Sequence, residues 1–287
     1  MSILTKDPSS QLPVTVFLQA AVPGITPYCS GSHLWGRSLG LLRGRRAICI
    51  DLPGNGDVDL ADQVPTVDAM VSHVVESIRA QGLGLVQLVG HDVGALVALL
   101  VAMDHPELLS SVCLVSSAWA APSGDGVENY ALRHPPLPLW SADSQSWALE
   151  RLSYSQLHID EDLVAQCVRA AQKPAHRSAA AAMEGDGYAL TFSRSAMRAK
   201  FRFFQVARGA GLQVPVQVIT GKQDPQVSPA HMLSLFRIAA EKQRQSQFHV
   251  INRAGSFPFR EQPEEFMRVI QAFADGLANE SLQASAA

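Results

Sequence analysis

The chain has 287 residues, 47% hydrophobic and 17% charged, with a net charge of −3 and a mean hydropathy of +0.07. Those values describe an ordinary globular protein, long enough for one large core with an inserted subdomain. A pI near 6.3 without a long basic run gives no electrostatic footprint for nucleic acid or for a membrane surface. Met1 to Pro13 is polar rather than signal-like, and no stretch reaches the roughly 18 apolar residues of a membrane span, so a cytoplasmic protein is expected.

The first β-rich runs are Val14 to Gln19 and Ala47 to Asp51, each ended by a Pro/Gly turn, and Thr66 to Gln81 then carries apolar residues at helical spacing. Val86 to Gly90 is an apolar strand that leads directly into a helix, Val93 to Asp104, and on to a strand, Ser111 to Ser116. Strand alternating with helix predicts a mostly parallel sheet with helices on both faces. The pattern is lost from about Trp119 to Leu212, where His134-Pro135-Pro136-Leu137-Pro138 precedes Ala-rich and Arg-rich helical stretches. Alternation resumes with a strand at Val216 to Thr220, a helix at Ser228 to Lys242, a strand at Gln247 to Ile251 and a closing helix from near Pro263. Residues 1–118 and 213–287 are therefore read as one α/β core and 119–212 as an inserted helical cap. Cys49 and Cys113 fall in β-branched runs typical of inert buried thiols, and the four cysteines imply neither disulfides nor zinc. Gly and Pro recur at no fixed period, which removes solenoids and propellers.

Three motifs give the chain its resemblance to the α/β-hydrolase family over nearly its whole length. Gly90-His91-Asp92-Val93-Gly94 resembles the nucleophile elbow in its aspartate form, as in epoxide hydrolases and haloalkane or haloacid dehalogenases of this fold. Gly221-Lys222-Gln223-Asp224-Pro225 resembles the loop supplying the triad acid, and Ala254-Gly255-Ser256-Phe257-Pro258 the terminal Gly-His loop with Ser256 in place of histidine. Leu18-Gln19-Ala20-Ala21-Val22-Pro23-Gly24 is similar to the oxyanion loop of serine-dependent C–C bond hydrolases, with its His and first Gly replaced. Family members usually run two antiparallel strands before that loop's strand. Only 13 residues precede Val14, so a shortened or missing N-terminal edge is expected, open to a partner subunit in a homodimer.

The resemblance implies roles for particular residues. Asp92 would be nucleophile or acid/base, set against a plain helix N-cap; Asp224 would be a second carboxylate paired with Asp92 or bonded to Ser256, set against a turn residue. Ser256 has a hydroxyl with no useful basicity near pH 7, so it can place a water but not take its proton. The amides of Val93 and Ala21 would form the oxyanion site, with Gln19 beside them. His91 should point away from the pocket, and His249 and His231 should be structural or exposed. His33 and His134 are the histidines that could substitute as base. Tyr154 and Tyr188 are the candidate cap tyrosines, and Trp35, Trp119, Trp140 and Trp147 the candidate pocket or cap aromatics. Val93 stands where a halide-holding Trp would follow the nucleophile, which weighs against haloalkane dehalogenation.

Three functions follow as alternatives, none with a metal or cofactor. The first is an enzyme acting on a small apolar or aromatic molecule through Asp92 without water activation. The second is an epoxide hydrolase or related hydrolase with a recruited base. The third is a hydrolase fold reused as a ligand-binding protein.

Overall fold

In the computed structural model, residues 2–4, 13–19, 21–60, 64–123, 132, 134–185 and 187–286 are described. Among them, seven strands form one sheet: β1 (Ser2–Leu4), β2 (Val14–Leu18), β3 (Ala47–Ile50), β4 (Val86–His91), β5 (Leu109–Val115), β6 (Val216–Gly221) and β7 (Ser246–Ile251), in the spatial order β1-β3-β2-β4-β5-β6-β7. β2 to β7 are parallel. β1 runs antiparallel, pairing Ser2 with Cys49 and Leu4 with Ala47. Among the described residues the N-terminal edge is thus shortened to one three-residue strand where a pair is usual.

Strand periodicity divides the core between the two faces. Val16, Leu18, Ile48, Ile50, Leu88, Val112, Leu114 and Val218 pack under α3 (Val67–Ala80), α4 (Val93–Asp104) and α9 (Pro229–Ala239). The alternate residues Phe17, Cys49, Val89, Cys113, Val115, Ile219 and Ile251 face the short α1 (Ser32–Trp35), α2 (Ser38–Leu41) and α10 (Pro258–Glu261) and the long α11 (Pro263–Ala286). All four cysteines are free and buried.

Local signals set the helix limits. The Thr66 hydroxyl accepts from the Ala69 amide and Asp68 lies in the first turn, an N-terminus suited to the helix dipole. Helix α4 is different: its residues from Val93 to Ala102 are all buried, so it shows no polar face and is held by packing on both sides.

Between β5 and β6 lie α5 (Ala142–Leu152), α6 (Glu161–Ala171), α7 (Pro174–Gly185) and α8 (Tyr188–Gly209). α8 is long enough to leave these helices and pack on α3, α4 and α9. Among the described residues no helix is long and apolar enough to cross a membrane.

The β4–α4 junction demands glycine twice. A Cβ on Gly90 would run into the backbone carbonyl of Gly94, and one on Gly94 would lie 2.7 Å from the Gln19 carbonyl oxygen and 2.8 Å from that of Leu18. The obstacle is backbone in each case and cannot swing aside. Gly90→Ala should therefore cost about 3 kcal/mol, the upper end of ordinary overpacking, read as a lowered midpoint in urea unfolding.

Candidate active site

The carboxyl ends of the parallel strands bring the candidate residues together, as expected for an open α/β sheet. Asp92 sits between β4 and α4 with φ 47° and ψ −111°, a strained conformation for a residue with a side chain. Its amide donates to the Val115 carbonyl at 3.1 Å, and its carbonyl accepts from the Ser117 hydroxyl at 2.6 Å. Its side chain makes no capping hydrogen bond, unlike an ordinary helix cap. The strain is held by those backbone bonds and by the close glycine contacts.

Asp224 follows β6, and Ser256 follows β7. Ser256 Oγ donates to Asp224 Oδ1 at 2.7 Å, and the same oxygen accepts from the amides of Gln226 at 2.9 Å and Val227 at 3.2 Å. The two loops meet backbone to backbone, because a Cβ on Gly221 would strike the carbonyls of Gly255 and Ala254. The Ser256 loop is pinned further by its own amide, which donates to the Leu152 carbonyl at 2.7 Å. Glu261 accepts from the amides of Gly255 at 2.6 Å, Tyr154 at 2.8 Å and Ser155 at 2.9 Å. His91 points away from the pocket, as its place in the strand requires, and its Nε2 bonds the Ser256 carbonyl at 2.8 Å. Burial holds His91 down at about 4, so the ring is neutral at pH 7.

Electrostatics ties the carboxyls together. Burial, reinforced by the Asp224 charge, pushes Asp92 well above the usual carboxylate range, while the amides of Ala118 and Val93 act the other way. Burial also raises Asp224 to about 6, against Ser256, Gln226, Val227 and Ser116, which favour its charged form. The Val93 amide thus already serves the Asp92 carboxyl. Ala21 is buried, with its carbonyl accepting from Asn55 Nδ2 at 2.9 Å. Gln19 is 3% exposed, and neither side-chain polar atom has a hydrogen-bond partner among the described residues. Ala20 lies outside the described residues.

A cavity of about 270 Å³ opens on Asp92, walled by Tyr28, Trp119, Ile25, Leu132 and Ser193 among others. Tyr28 is 2% exposed and stands edge-on to Phe257 at 5.4 Å. Burial first and the Asp92 charge second push its hydroxyl well above the ordinary phenol range. Sequence pattern gave no mark for Tyr28; the available signal was its place in the loop after β2, which must cross the sheet's carboxyl edge. Trp119 is where an aromatic wall was expected, and packs against Phe192 at 5.4 Å.

Several expected site residues lie elsewhere. Trp35 is not a pocket residue: it is 1% exposed on the α11 side of the sheet, beside Phe17 at 5.0 Å and Phe259 at 4.4 Å. Trp140 packs edge-on to His176 at 4.8 Å, and Trp147 lies under Arg151 at 5.6 Å. Tyr154 is 50% exposed because Glu261 fixes its backbone against the core, and it lines a separate cleft of about 540 Å³ with His158 and Arg260. Tyr188 packs on the main core rather than around the cavity. His134 is exposed, and His33 faces Cys167 Sγ at 3.5 Å, so neither candidate base lines the cavity. Among the described residues no group of three or more His, Cys, Asp or Glu side chains is placed to hold a metal ion.

The sharp strand-to-helix turn on a parallel sheet is accompanied by a match of residues 21–269 to the model of the Alpha/beta hydrolase family. The chain belongs to that family. Two solved α/β-hydrolase structures share its fold. One is a mutant of the meta-cleavage product hydrolase CumD from Pseudomonas fluorescens IP01, with a TM-score of 0.73 and 19% identity, covering 93% of this chain and 92% of that one. The other is 2-hydroxy-6-oxo-6-phenylhexa-2,4-dienoate hydrolase (BPHD) from Rhodococcus sp. strain RHA1, with a TM-score of 0.73 and 18% identity, covering 94% and 92%. The chain is also 27% identical to human Epoxide hydrolase 4 over 92 residues, 31% of this chain and 24% of that protein's length.

The raised Asp224 carboxyl has a stability consequence of definite sign. A folded-state value of about 6 against 3.8 for the free group means that the folded protein binds the proton more tightly, so the contribution is full below about pH 3.8 and is lost as pH rises through about 6. Asp224→Asn, which keeps the acceptor oxygen without the charge, removes that dependence. The stability of the variant minus that of the original should rise by up to about 3 kcal/mol between pH 4 and pH 7 in urea unfolding.

Proposed function

We propose that this α/β-hydrolase family member is an enzyme acting on a small molecule with an apolar or aromatic body, with Asp92 moving a proton in a reaction that needs no activated water. Cyclisation, elimination, decarboxylation and rearrangement are such reactions. The observation that carries this reading is the 2.7 Å hydrogen bond from Ser256 Oγ to Asp224 Oδ1. Where the family resemblance places a general base, a hydroxyl is tied to the acid, and the described residues lining the Asp92 cavity include no histidine.

Hydrolysis through an aspartate takes two steps, carboxylate attack on carbon to form an ester and cleavage of that ester by activated water. A serine hydroxyl cannot accept the water's proton near pH 7. A buried carboxyl held above its ordinary range is suited to a different task, because it can carry a proton at neutral pH and return it within one cycle. Tyr28, on the same cavity, offers a phenol to hold a substrate oxygen.

A hydrolytic reading is favoured by the likeness to Epoxide hydrolase 4. In it Asp92 would open an epoxide to an alkyl-enzyme ester, with the oxygen finally gained from water passing through the Asp92 carboxyl.

Two measurements separate these readings. Asp92→Asn should lower turnover of a substrate found by screening by roughly 100-fold, the scale of a positioned acid or base; full turnover would remove Asp92 from the chemistry. Incubation with a simple reactive epoxide should leave the intact mass unchanged. A stoichiometric adduct on Asp92, released once Ser256→His supplies a base, would instead establish the hydrolytic route.

A further inference from the structure

The Asp92 cavity has a sign of charge and an unpaired carboxyl oxygen, and both bear on what it can hold. Asp92 lines the cavity and is 2% exposed, yet its Oδ1 has no hydrogen-bond partner among the described residues. Leaving a buried polar atom unsatisfied is unfavourable, so one that opens on a cavity points to something that binds there. Once ionised, the Asp92 carboxyl accepts hydrogen bonds and donates none. The missing occupant is therefore a donor.

Charge narrows the class. The titratable groups facing Asp92 are Asp224 and Tyr28, and each becomes negative when it ionises. His91, behind the strand, is turned to the Ser256 carbonyl, and Glu261 adds a further negative charge near Asp224. No Lys, Arg or His is found among the described residues lining the cavity. A ligand carboxylate would add a negative charge beside buried carboxyls with no cation to receive it, whereas an ammonium group would supply both the missing charge and the missing N–H donors. Trp119 and Tyr28 wall the same space, and aromatic faces beside carboxylates also attract an ammonium ion.

Resting on the reading of Asp92 as the working group, we propose that the cavity selects a protonated amine carried on an aromatic or apolar body and rejects carboxylates. Entry of the ammonium ion favours the ionised form of Asp92. The neutral carboxyl gives its proton to the buffer, and the ammonium–carboxylate pair replaces it, so binding releases up to one proton and tightens as pH rises.

Benzylamine, benzyl alcohol and benzoate share a ring and differ in head group. Titration calorimetry of the intact protein with each, at pH 7 in two buffers of different ionisation enthalpy, should show benzylamine binding at least roughly tenfold more tightly than the alcohol, with benzoate weakest. The buffer dependence should report proton release with the amine, and Asp92→Asn should abolish the preference; Asp92→Ala serves if the asparagine variant does not fold. Equal binding of the alcohol or of benzoate, absence of amine binding, or an amine preference untouched by either variant would overturn the proposal. Because this experiment reads binding and not turnover, its failure leaves the acid/base role of Asp92 to be judged by the turnover measurement alone.

Discussion

Backbone meeting backbone at the carboxyl edge of the sheet is the constraint on which the rest of this site depends. Gly90 must lie against Gly94, Gly94 against the end of β2, and Gly221 against the Ala254–Gly255 turn. These contacts leave no room for a methyl group. They fix the distance between β4 and its helix, and between the loops after β6 and β7, to within what carbonyl oxygens tolerate. The strained φ of Asp92 persists because its amide and carbonyl are bonded on both sides and the helix behind it is buried all round.

Given that frame, the electrostatics follows from what is placed in it. Two carboxyls share a buried region, and no described cavity-lining side chain carries a compensating positive charge. The groups around Asp224, two amides and the Ser256 and Ser116 hydroxyls, reduce its shift without cancelling it. Asp92 has weaker support and remains the more strongly perturbed of the pair. Such an arrangement destabilises the ionised fold, as active sites commonly do, and the packed core around α4 offsets the cost.

The helices between β5 and β6 are tied to the core through main-chain amides. Glu261 binds amides from both the Ser256 loop and the segment after α5, so that segment is held to the core by main-chain contacts that any side-chain sequence could make. The side chains there are then free to face outward, as Tyr154 does. The aromatic wall of the cavity comes instead from Tyr28, in the loop after β2, and from Trp119, just beyond β5.

The alternation of apolar runs with amphipathic stretches determined the parallel sheet, its helices and the helical stretch between β5 and β6, because strand and helix periodicities are local properties of sequence. The glycine spacing around Asp92 determined the sharp turn, since the backbone contacts there exclude any other residue. The same local reasoning placed His91 away from the pocket, as strand alternation requires. Which aromatic side chains reach the cavity was not local information. Trp35 and Tyr154 have the composition of pocket residues, but one packs in the sheet core and the other faces a separate cleft. Tyr28 has no motif of its own and faces Asp92 only because the chain folds back over the sheet edge. Tertiary structure alone decided that Ser256 donates to Asp224 and that Asp92 Oδ1 is left unpaired, because hydrogen-bond partners and burial are set by segments that lie far apart in the chain and meet only at the sheet's carboxyl edge.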